Sequence, residues 1–466
     1  MPLSLNDSFA TTAALAEAMS EEALIAGVFR FEAALARAEA LEGVVPESAA
    51  EVIATAASQM RVPPQDVSAD AAHAGALTIP LVKRLIAEVH GRDPAAAGFV
   101  HFGATSQDAM DTALVLQLDR AVALIDADLA RLAEAAAALA ARHRDTIMPG
   151  RTLLQPATPI AFGQKAAQWL IAACEDRARI RQAAQAALRI QFGGASGNLG
   201  SLGGKGASVS AHLAALLPLS FGAPAGDDVS MPWHARRGNL LSLCAAFAIA
   251  AGSAGKIARD ISLMAQWEVG EVAEPPEAGR GVSSAMPHKQ NPVRCVSAIA
   301  AAVRVPPLLA TLLTAAVQEH ERAIGGWQAE WATIPELVRL TGGAIAGMAD
   351  ALDGLVVNSS RMRANLDSMR GLPLAEMAAL ALSSALGREA AHALVADAAQ
   401  RAVARHTNLA DEIARDPVAR AHLSETEIAR TVDPHAALGA TGAFIDCALG
   451  LWRSQNAVFT TEKQNG

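Results

Sequence analysis

The chain has 466 residues, of which 52% are hydrophobic, 18% are charged and only 4% are aromatic, with no Tyr. A chain of this length has room for about three domains, each with its own core. The net charge of −9 and the pI near 5.8 argue against a surface for nucleic acid or anionic membranes. We therefore expect any anionic ligand to be bound by local cations.

The cysteines and the first residues point to a cytoplasmic protein. The four cysteines are widely separated and fit neither a CxxC metal pattern nor a disulfide framework, so we expect reduced core residues. No basic segment precedes an apolar one at the start, which predicts no signal peptide. The longest uncharged stretch, residues 238–255, is predicted to be a buried bundle helix rather than a membrane span.

The first 110 residues read as a helical domain. Ser20 followed by two glutamates predicts a helix start, and residues 23–41 place Val28, Phe31 and Leu35 on one face. Further helices are predicted at 47–60 and 76–90. We therefore expect an N-terminal helical domain over residues 1–110.

Residues 111–365 are dominated by unusually long helical patterns. The pattern over 112–144 exceeds the usual globular helix of roughly 8 to 20 residues, and similar patterns cover 158–190, 234–268, 293–318 and 330–357. Small residues surround most of each helix, which indicates burial on several sides. The prediction is a central long-helix bundle completed by other subunits.

Residues 366–466 return to shorter helices and form a predicted small C-terminal domain. Ser424 and Glu427 make a capping-box pattern, and Asp433-Pro434 predicts a further helix start. No run of alternating β-branched residues indicates a sheet of any size. The fold class is therefore predicted to be all-α with three domains.

The sequence patterns argue against a P-loop and against a metal site. The glycine-rich segment 193–206 lacks P-loop spacing, because Leu199 and Gly206 stand where Gly and Ser or Thr are needed. It is predicted to be a flexible inter-helix loop, which can still close over a ligand. The histidines give no HxH or HExxH pattern and no Cys/His cluster, so no metal is expected.

Four polar segments lie at the ends of long helices. His101–Asp108, Gly150–Pro159 and Gln318–Arg322 can each be a helix cap or solvated charge run, or a ligand-binding turn. Residues 279–292 can be a solvated connector. That loop nevertheless carries Ser283, Lys289 and Asn291, which are a proton carrier, a cation and an amide suited to a carbanion beside a carboxylate.

These segments resemble the signatures of the fumarase/aspartase superfamily. Residues 283–292, Ser-Ser-Ala-Met-Pro-His-Lys-Gln-Asn-Pro, match its hallmark loop apart from Val282 in place of glycine. The segments from His101 and Gly150 resemble its two other signature turns. The resemblance implies a three-domain homotetramer with a central 20-helix bundle, active sites built from three subunits, a small di- or tricarboxylate substrate and no cofactor.

Within the superfamily, the sequence is most similar to the bacterial 3-carboxy-cis,cis-muconate cycloisomerases. This implies lactonisation of that substrate in protocatechuate breakdown, the β-ketoadipate pathway. Two departures from the lyases support it: Leu153 replaces a catalytic His, and Val296 replaces a Glu. The lyases use that dyad on the leaving or attacking group, whereas a carboxylate nucleophile is already ionised and needs no base.

The resemblance also implies roles for individual residues. Ser283 would deliver the proton and Lys289 would stabilise the enolate-like charge. The substrate carboxylates would be bound by Thr105, Ser106, Thr152, Gln155 and Asn291, with His101 and Arg322 as further contacts. After residues 232–234 the relatives usually have a Gln-Arg-Asp group, whereas this chain has Arg236-Arg237-Gly238. The departure of interest is Arg236. It is either a surface change or an adaptation to another anionic 3-substituent such as sulfonate.

Two other identities stay open. Adenylosuccinate lyase shares the first turn and the Met-Pro-His-Lys pattern, but Leu153 and Val296 weigh against it. A catalytically silent structural homologue, like some lens crystallins of this superfamily, is disfavoured by the intact Ser283, Lys289 and Asn291.

Overall fold

The computed structural model describes residues 8–222, 231–283, 285–286 and 288–465. Ser284 and Pro287 of the hallmark loop therefore lie outside the described residues. The chain forms two compact units. The first comprises the described residues of Met1–Leu129, Glu175–Gly255 and Ser297–Gly347, and the second those of Ala130–Cys174, Lys256–Val296 and Met348–Gly466. The domain boundaries at 110 and 365 stay a prediction.

The described residues contain eighteen α-helices, which confirms the all-α fold class. In chain order they are α1 Ala13–Ala18, α2 Glu21–Leu41, α3 Glu47–Gln59, α4 Ser68–Ala74, α5 Thr78–Arg92, α6 Ser106–Arg142, α7 Phe162–Ala187, α8 Gly206–Leu216, α9 Gly238–Met264, α10 Val293–Ala315, α11 Gly326–Asp353, α12 Ser359–Asp367, α13 Ala375–Leu386, α14 Arg388–Arg405, α15 Leu409–Ala414, α16 Pro417–His422, α17 Glu425–Thr431 and α18 Thr441–Asn465. Short 3₁₀ turns lie at Pro64–Asp66, Ala96–Phe99, Gly200–Lys205, Leu372–Leu374 and Ala436–Leu438.

The five long helices lie within a few residues of the predicted ends, with one exception. Helix α6 begins at Ser106 rather than near residue 112. Its third residue, Asp108, accepts the backbone N–H of Thr105 at 3.1 Å, which satisfies a donor at the helix start as a capping box does. The polar turn predicted at 101–108 therefore becomes the first turn of the longest helix.

The cap predictions have mixed outcomes. Ser20 accepts the N–H of Ala23 at 3.1 Å, and Ser424 forms the predicted capping box with Glu427. The prediction of a helix start at Asp433-Pro434 is wrong. Asp433 does accept the N–H of His435 at 3.0 Å, but only a 3₁₀ turn follows, which ends at Gly439 with φ 51. A residue with that backbone cannot continue a right-handed helix.

In the part of the chain that the structure describes, two small antiparallel sheets interrupt the helices, where no sheet was expected. Strands β1 Ile147–Thr152 and β2 Gln155–Ala161 form a hairpin, and β3 Val272–Ala273 pairs with β4 Val356–Val357. The hairpin replaces the simple polar turn predicted at 150–159. It positions Thr152 directly opposite Gln155.

Each unit has its own apolar core. In the first unit, α2, α3, α5 and α8 pack around buried residues that include Val28, Phe31 and Leu35. The predicted buried face of α2 is thus confirmed. In the second unit, the C-terminal helices α13 to α17 surround Leu382, Val395 and other apolar side chains.

Helices α9 and α10 are long and apolar enough to span a membrane by length and composition alone. Core helices of soluble proteins have the same properties. About half of the apolar window of α9 is buried (56%), as expected for a bundle helix, but only 22% of the window of α10 is. Helix α10 therefore presents an apolar surface that the described residues leave uncovered.

All four cysteines lie in the described part of the chain, and none of them forms a disulfide. Cys174, Cys244 and Cys295 are buried as predicted, whereas Cys447 is exposed, so the core prediction is wrong for that residue.

Candidate active site

The turn before α6 contains the first group of predicted site residues. His101 and Gly103 have left-handed backbone, with φ of 60° and 69°, so the chain reverses direction sharply before Thr105. Nδ1 of His101 lies 2.6 Å from Oε1 of Glu32, a buried residue of α2. Thr105 and Ser106 are partly exposed, so a ligand can reach this turn.

Asp108 fixes the glycine-rich loop to this turn. Its buried carboxylate accepts the backbone N–H groups of Gly193 at 3.2 Å and Gly194 at 2.8 Å. Burial raises the pKa of Asp108 to about 6, although these N–H groups and the nearby Arg322 oppose the increase. The segment predicted to be a flexible connector is therefore held by a buried carboxylate.

Arg322 contacts the same loop from another part of the chain. Its guanidinium donates to Oε1 of Gln107 at 2.8 Å, to the carbonyl of Ala195 at 3.3 Å and to the carbonyl of Gly194. One nitrogen lies 3.8 Å from Asp108. The solvated charge run expected at 318–322 thus ends in an arginine that joins the first polar turn to the glycine-rich loop.

A buried charge network lies beneath this turn. Arg237 donates to both oxygens of Asp111, at 2.7 and 3.1 Å, and to both oxygens of Glu330. Its guanidinium also stacks 4.7 Å from the ring centroid of Trp233. These bonds link α6, α9's approach segment and α11, and they support the residues from which the turn is built.

Arg236 and His234 precede Arg237 by one and three residues. The Arg236 side chain is exposed and donates to the carbonyl of Met231 at 3.2 Å. His234 is buried, and Gly197 packs so closely that an added Cβ would lie 2.5 Å from the imidazole Cε1. Burial and the neighbouring arginines lower the pKa of His234, with Asp111 opposing them. A neutral imidazole therefore lies against the glycine-rich loop.

The β1–β2 hairpin of the second unit carries Thr152 and Gln155. Its two loop residues, Leu153 and Leu154, both have positive φ, of 50° and 63°. This backbone normally favours Asn and Gly, and both leucines are exposed, Leu153 to 97%. The hairpin base is held by Arg151, which donates to the two oxygens of buried Glu271 at 2.8 and 2.7 Å.

The hallmark loop is closed at its neck by Asn291. The backbone N–H of Asn291 donates to the carbonyl of Gly281 at 2.9 Å, and its side-chain amide donates to the same carbonyl at 3.1 Å. Val282 and Gln290 form an antiparallel bridge one step further along. The predicted substrate-binding amide therefore also ties the two ends of the loop together.

Within that loop, Ser283 has donors directed at its oxygen. Its Oγ accepts the backbone N–H of Met286 at 3.1 Å and lies 3.4 Å from that of Ala285. Lys289 is exposed. Donors arranged in this way favour negative charge on the serine oxygen.

The base of the loop is anchored by two glutamates. Glu274 accepts the first N–H groups of α10, from Arg294 at 3.3 Å and Cys295 at 2.9 Å. Glu277 bridges Arg294 at 2.5 Å and Arg280 at 3.0 Å. Beside this base is a cavity of about 870 Å³, whose lining includes Trp267, Arg280, His288, Lys289, Asn291 and Arg294.

The predicted site residues thus fall into local groups. His101, Thr105, Ser106 and Arg322 surround one turn of the first unit; Ser283 and Asn291 share one loop of the second. Thr152 and Gln155 face each other in the hairpin, and Lys289 lines the cavity with Asn291. Their roles stay predictions.

Comparison with known proteins identifies the family. A family model described as "Lyase" matches residues 5–306, and one described as "Adenylosuccinate lyase C-terminus" matches residues 371–448. The chain belongs to the fumarase/aspartase superfamily of lyases. Enzymes of this superfamily act on small dicarboxylates and are typically oligomeric.

Individual superfamily members match over nearly the whole chain. The 3-carboxy-cis,cis-muconate cycloisomerase of Pseudomonas aeruginosa is 45% identical over 445 residues, covering 96% of this chain and 95% of its own. Nitrosuccinate lyase of Streptomyces davaonensis is 41% identical over 434 residues, covering 93% and 91%. The crystal structure of 3-carboxy-cis,cis-muconate lactonizing enzyme from Pseudomonas putida has a TM-score of 0.90 and 42% identity, covering 97% of this chain and 99% of that chain.

Membership of the fumarase/aspartase superfamily confirms the resemblance seen in the signature turns, but several supporting residues were not predicted from sequence. They are charged side chains that the structure buries, namely Glu32, Asp108, Asp111, Arg237 and Glu330. Because charged residues are almost never fully buried unless they are paired, the placement of Glu32, Asp111 and Glu330 among apolar residues in or next to predicted helices was an available signal. Their partners could not be read from the sequence.

The two positions that depart from the superfamily's lyases lie at exposed points. Leu153 is at the hairpin tip, and Val296, 51% exposed, is in the first turn of α10. Neither side chain can exchange a proton with a ligand. A leaving group that needs protonation would find no acid at these positions.

Proposed function

We propose that this protein is a cycloisomerase that closes 3-carboxy-cis,cis-muconate to a carboxymuconolactone, in the degradation of protocatechuate. One observation carries the proposal: the hallmark loop keeps Ser283, Lys289 and Asn291, whereas the dyad positions are occupied by Leu153 and Val296. The nucleophile in this reaction is a carboxylate of the substrate, whose free pKa of about 4 leaves it ionised at neutral pH. Ring closure therefore needs no general base.

The reaction requires one C–O bond and one proton transfer. A carboxylate oxygen adds to one end of a double bond, and the π electrons move to the carbon beside a second carboxylate. This gives an enolate-like dianion, which Lys289 and nearby donors stabilise by preorganised electrostatics. Proton transfer from Ser283 Oγ to that carbon completes the lactone, and the serine regains a proton from water.

The geometry of Ser283 supports its role as the acid. A free serine hydroxyl is a weak acid, so the serinate left after proton transfer must be stabilised. The N–H of Met286 at 3.1 Å and the N–H of Ala285 at 3.4 Å are directed at Oγ. These donors favour the anion most strongly when the loop excludes water.

The substrate carries three carboxylates, and each needs donors or cations. We assign this binding to Thr105, Ser106, Thr152, Gln155 and Asn291, with His101, Arg322 and Arg236 as cationic contacts. Planar guanidinium groups suit carboxylates because they can donate two parallel hydrogen bonds. No cofactor takes part in this chemistry.

We further propose a soluble, cytoplasmic homotetramer in which three subunits contribute to each site. The uncovered apolar surface of α10, which includes Val296, Val303 and Leu313, supports association with other copies. Exposed apolar patches of this kind mark protein–protein interfaces. The exposed leucines of the hairpin tip support the same assembly.

The proposal is tested by following muconate absorbance in the ultraviolet. Ser283→Ala should lose about 10³-fold or more in kcat, because the only proton donor to carbon is removed. Its affinity for tricarballylate, an unreactive tricarboxylate, should be unchanged because the binding groups remain. Near-normal turnover by this variant would refute the role of Ser283.

Substrate choice is tested by comparing kcat/KM for three compounds. The proposed function requires a higher kcat/KM for 3-carboxymuconate than for 3-sulfomuconate or nitrosuccinate. A preference for 3-sulfomuconate that Arg236→Gln abolishes would instead assign Arg236 to a sulfonate site. If the protein releases nitrite from nitrosuccinate faster than it consumes muconate, its reaction would be assigned as elimination and not as cyclisation.

A further inference from the structure

Two buried carboxylates lie on the same face of α2, seven residues apart. Glu32 and Glu39 have side chains with almost no exposure, 1% and 0%. Residues i and i+7 are separated by two helical turns and share one face. Each buried carboxylate requires either a partner or loss of its charge.

One of the two glutamates has a partner, and the other loses its charge. Glu32 pairs with Nδ1 of His101 at 2.6 Å. Neither oxygen of Glu39 has a hydrogen-bond partner among the described residues. Burial, together with the charge of Glu32, raises the pKa of Glu39 to about 9, so Glu39 is neutral at pH 7. The negative charge on this face therefore belongs to Glu32.

The charge of Glu32 affects the pKa of His101. Burial lowers the pKa of its imidazole, but the charge and hydrogen bond of Glu32 and the charge of Asp108 raise it, and the net direction is upward from the ordinary value. Asp108 faces the ring from the start of α6, where Gly193, Gly194 and Arg322 hold it. Among the described residues, the other ring nitrogen, Nε2, has no hydrogen-bond partner, while the side chain is 17% exposed.

From this geometry we infer that Glu32 is a positioning residue of the active site, which holds His101 as an imidazolium whose Nε2–H binds one substrate carboxylate. The inference rests on the proposed function for the identity of that carboxylate. It gives the chain a buried Glu–His pair distinct from the dyad positions 153 and 296. This pair carries charge to the substrate and transfers no proton to carbon.

Matched glutamine substitutions on the same helix face test the inference. Glu32→Gln should raise KM for 3-carboxymuconate about tenfold at a pH above the ordinary histidine pKa of about 6.5, because a neutral imidazole replaces a charge-assisted donor. The kcat should change less than about threefold, since the chemical step is untouched. The KM increase should shrink as pH falls, because the imidazole of the variant then becomes protonated without the charge of Glu32. Glu39→Gln replaces a neutral acid by a neutral amide and should match the wild type throughout, and Glu32→Asp should partly restore KM.

A double-mutant cycle separates this role from simple structural support. In a His101→Gln background, Glu32→Gln should have no further effect on KM, because Glu32 acts through the ring. An equal KM increase in both backgrounds would overturn the inference. So would a pH-independent loss of kcat in Glu32→Gln with KM unchanged.

Binding of tricarballylate, measured by calorimetry in two buffers of different ionisation enthalpy, keeps the test independent of turnover. At a pH above the ordinary histidine pKa, the wild type should take up fewer protons on binding than Glu32→Gln, whose imidazole must be charged by the ligand. Equal affinity and equal proton uptake in both proteins would overturn the role of Glu32. Absence of muconate turnover by the wild type would instead refute the proposed function, and the binding result would still decide this inference.

Discussion

Replacing Arg237 by Met should destabilise the protein strongly, and more at pH 8 than near pH 5.5. Arg237 is completely buried and supplies the only cation that contacts Asp111 and Glu330 among the described residues. Methionine fills a similar volume but leaves two buried carboxylates without that cation. Removal of one partner from a buried ion pair costs about 3–5 kcal/mol.

The dependence on pH follows from which carboxylate keeps donors. Asp111 retains the side-chain N–H groups of Gln107 and Trp327, each at 3.1 Å. Burial already raises the pKa of Glu330, with Arg237 opposing the increase, and loss of Arg237 raises it further. The folded variant then binds a proton that the unfolded chain releases above about pH 4. Stability therefore falls as pH rises toward the folded pKa, by about 1.4 kcal/mol per pH unit.

The measurement is urea unfolding of matched proteins at the two pH values and at one protein concentration. Arg236→Met is the control, because Arg236 is the exposed neighbour and its replacement should change stability by less than about 0.5 kcal/mol. Adding Glu330→Gln to Arg237→Met should recover part of the loss and flatten the pH dependence. An Arg237→Met loss no larger than the control, or one of equal size at both pH values, would refute the reasoning.

Three further predictions test other parts of the structure. Gly197→Ala should cost about 1–3 kcal/mol in unfolding free energy and lower kcat/KM, because its φ of 86° suits glycine and the new methyl would meet His234; stability equal to the wild type would contradict this packing. Glu271→Gln should cost about 2–4 kcal/mol, since the Arg151 pair at the hairpin base loses its charge, and a loss below about 0.5 kcal/mol by urea titration would argue against that anchor. Val303→Asp should shift the molar mass measured by light scattering toward the monomer, because a charge would be buried in the proposed interface; an unchanged mass would remove α10 from that interface.

The long helices could be predicted because their signals are local. Apolar periodicity predicted α7, α9, α10 and α11 to within a few residues, and side-chain caps marked α2 and α17. The hairpin was missed because its sequence carries no local signal for it. Two leucines occupy positive-φ positions at its tip, where turn chemistry predicts Asn or Gly.

The support beneath the candidate site could not be predicted because it is non-local. Arg237 donates hydrogen bonds to Asp111, which is 126 residues away in sequence, and to Glu330, which is 93 residues away. Periodicity identifies the face of a helix but not which distant face meets it. The hallmark loop was identified by resemblance, whereas its closure by Asn291 and the donors at Ser283 Oγ emerged only from the structure.

The absence of ionisable side chains at 153 and 296 narrows the chemistry to reactions whose non-carbon partner is a stable anion. A hydratase or ammonia lyase must protonate a poor leaving group as well as move a proton at carbon, and so needs two proton carriers. A carboxylate that attacks a double bond needs only the proton at carbon, which Ser283 can supply. Nitrite leaving from nitrosuccinate would satisfy the same condition in the opposite direction. Within this class the proton carriers no longer discriminate between substrates, so discrimination must come from the number and placement of cations. In the proposed site, a third carboxylate on muconate would give His101, Arg322 and Arg236 one more anion to bind than a dicarboxylate does.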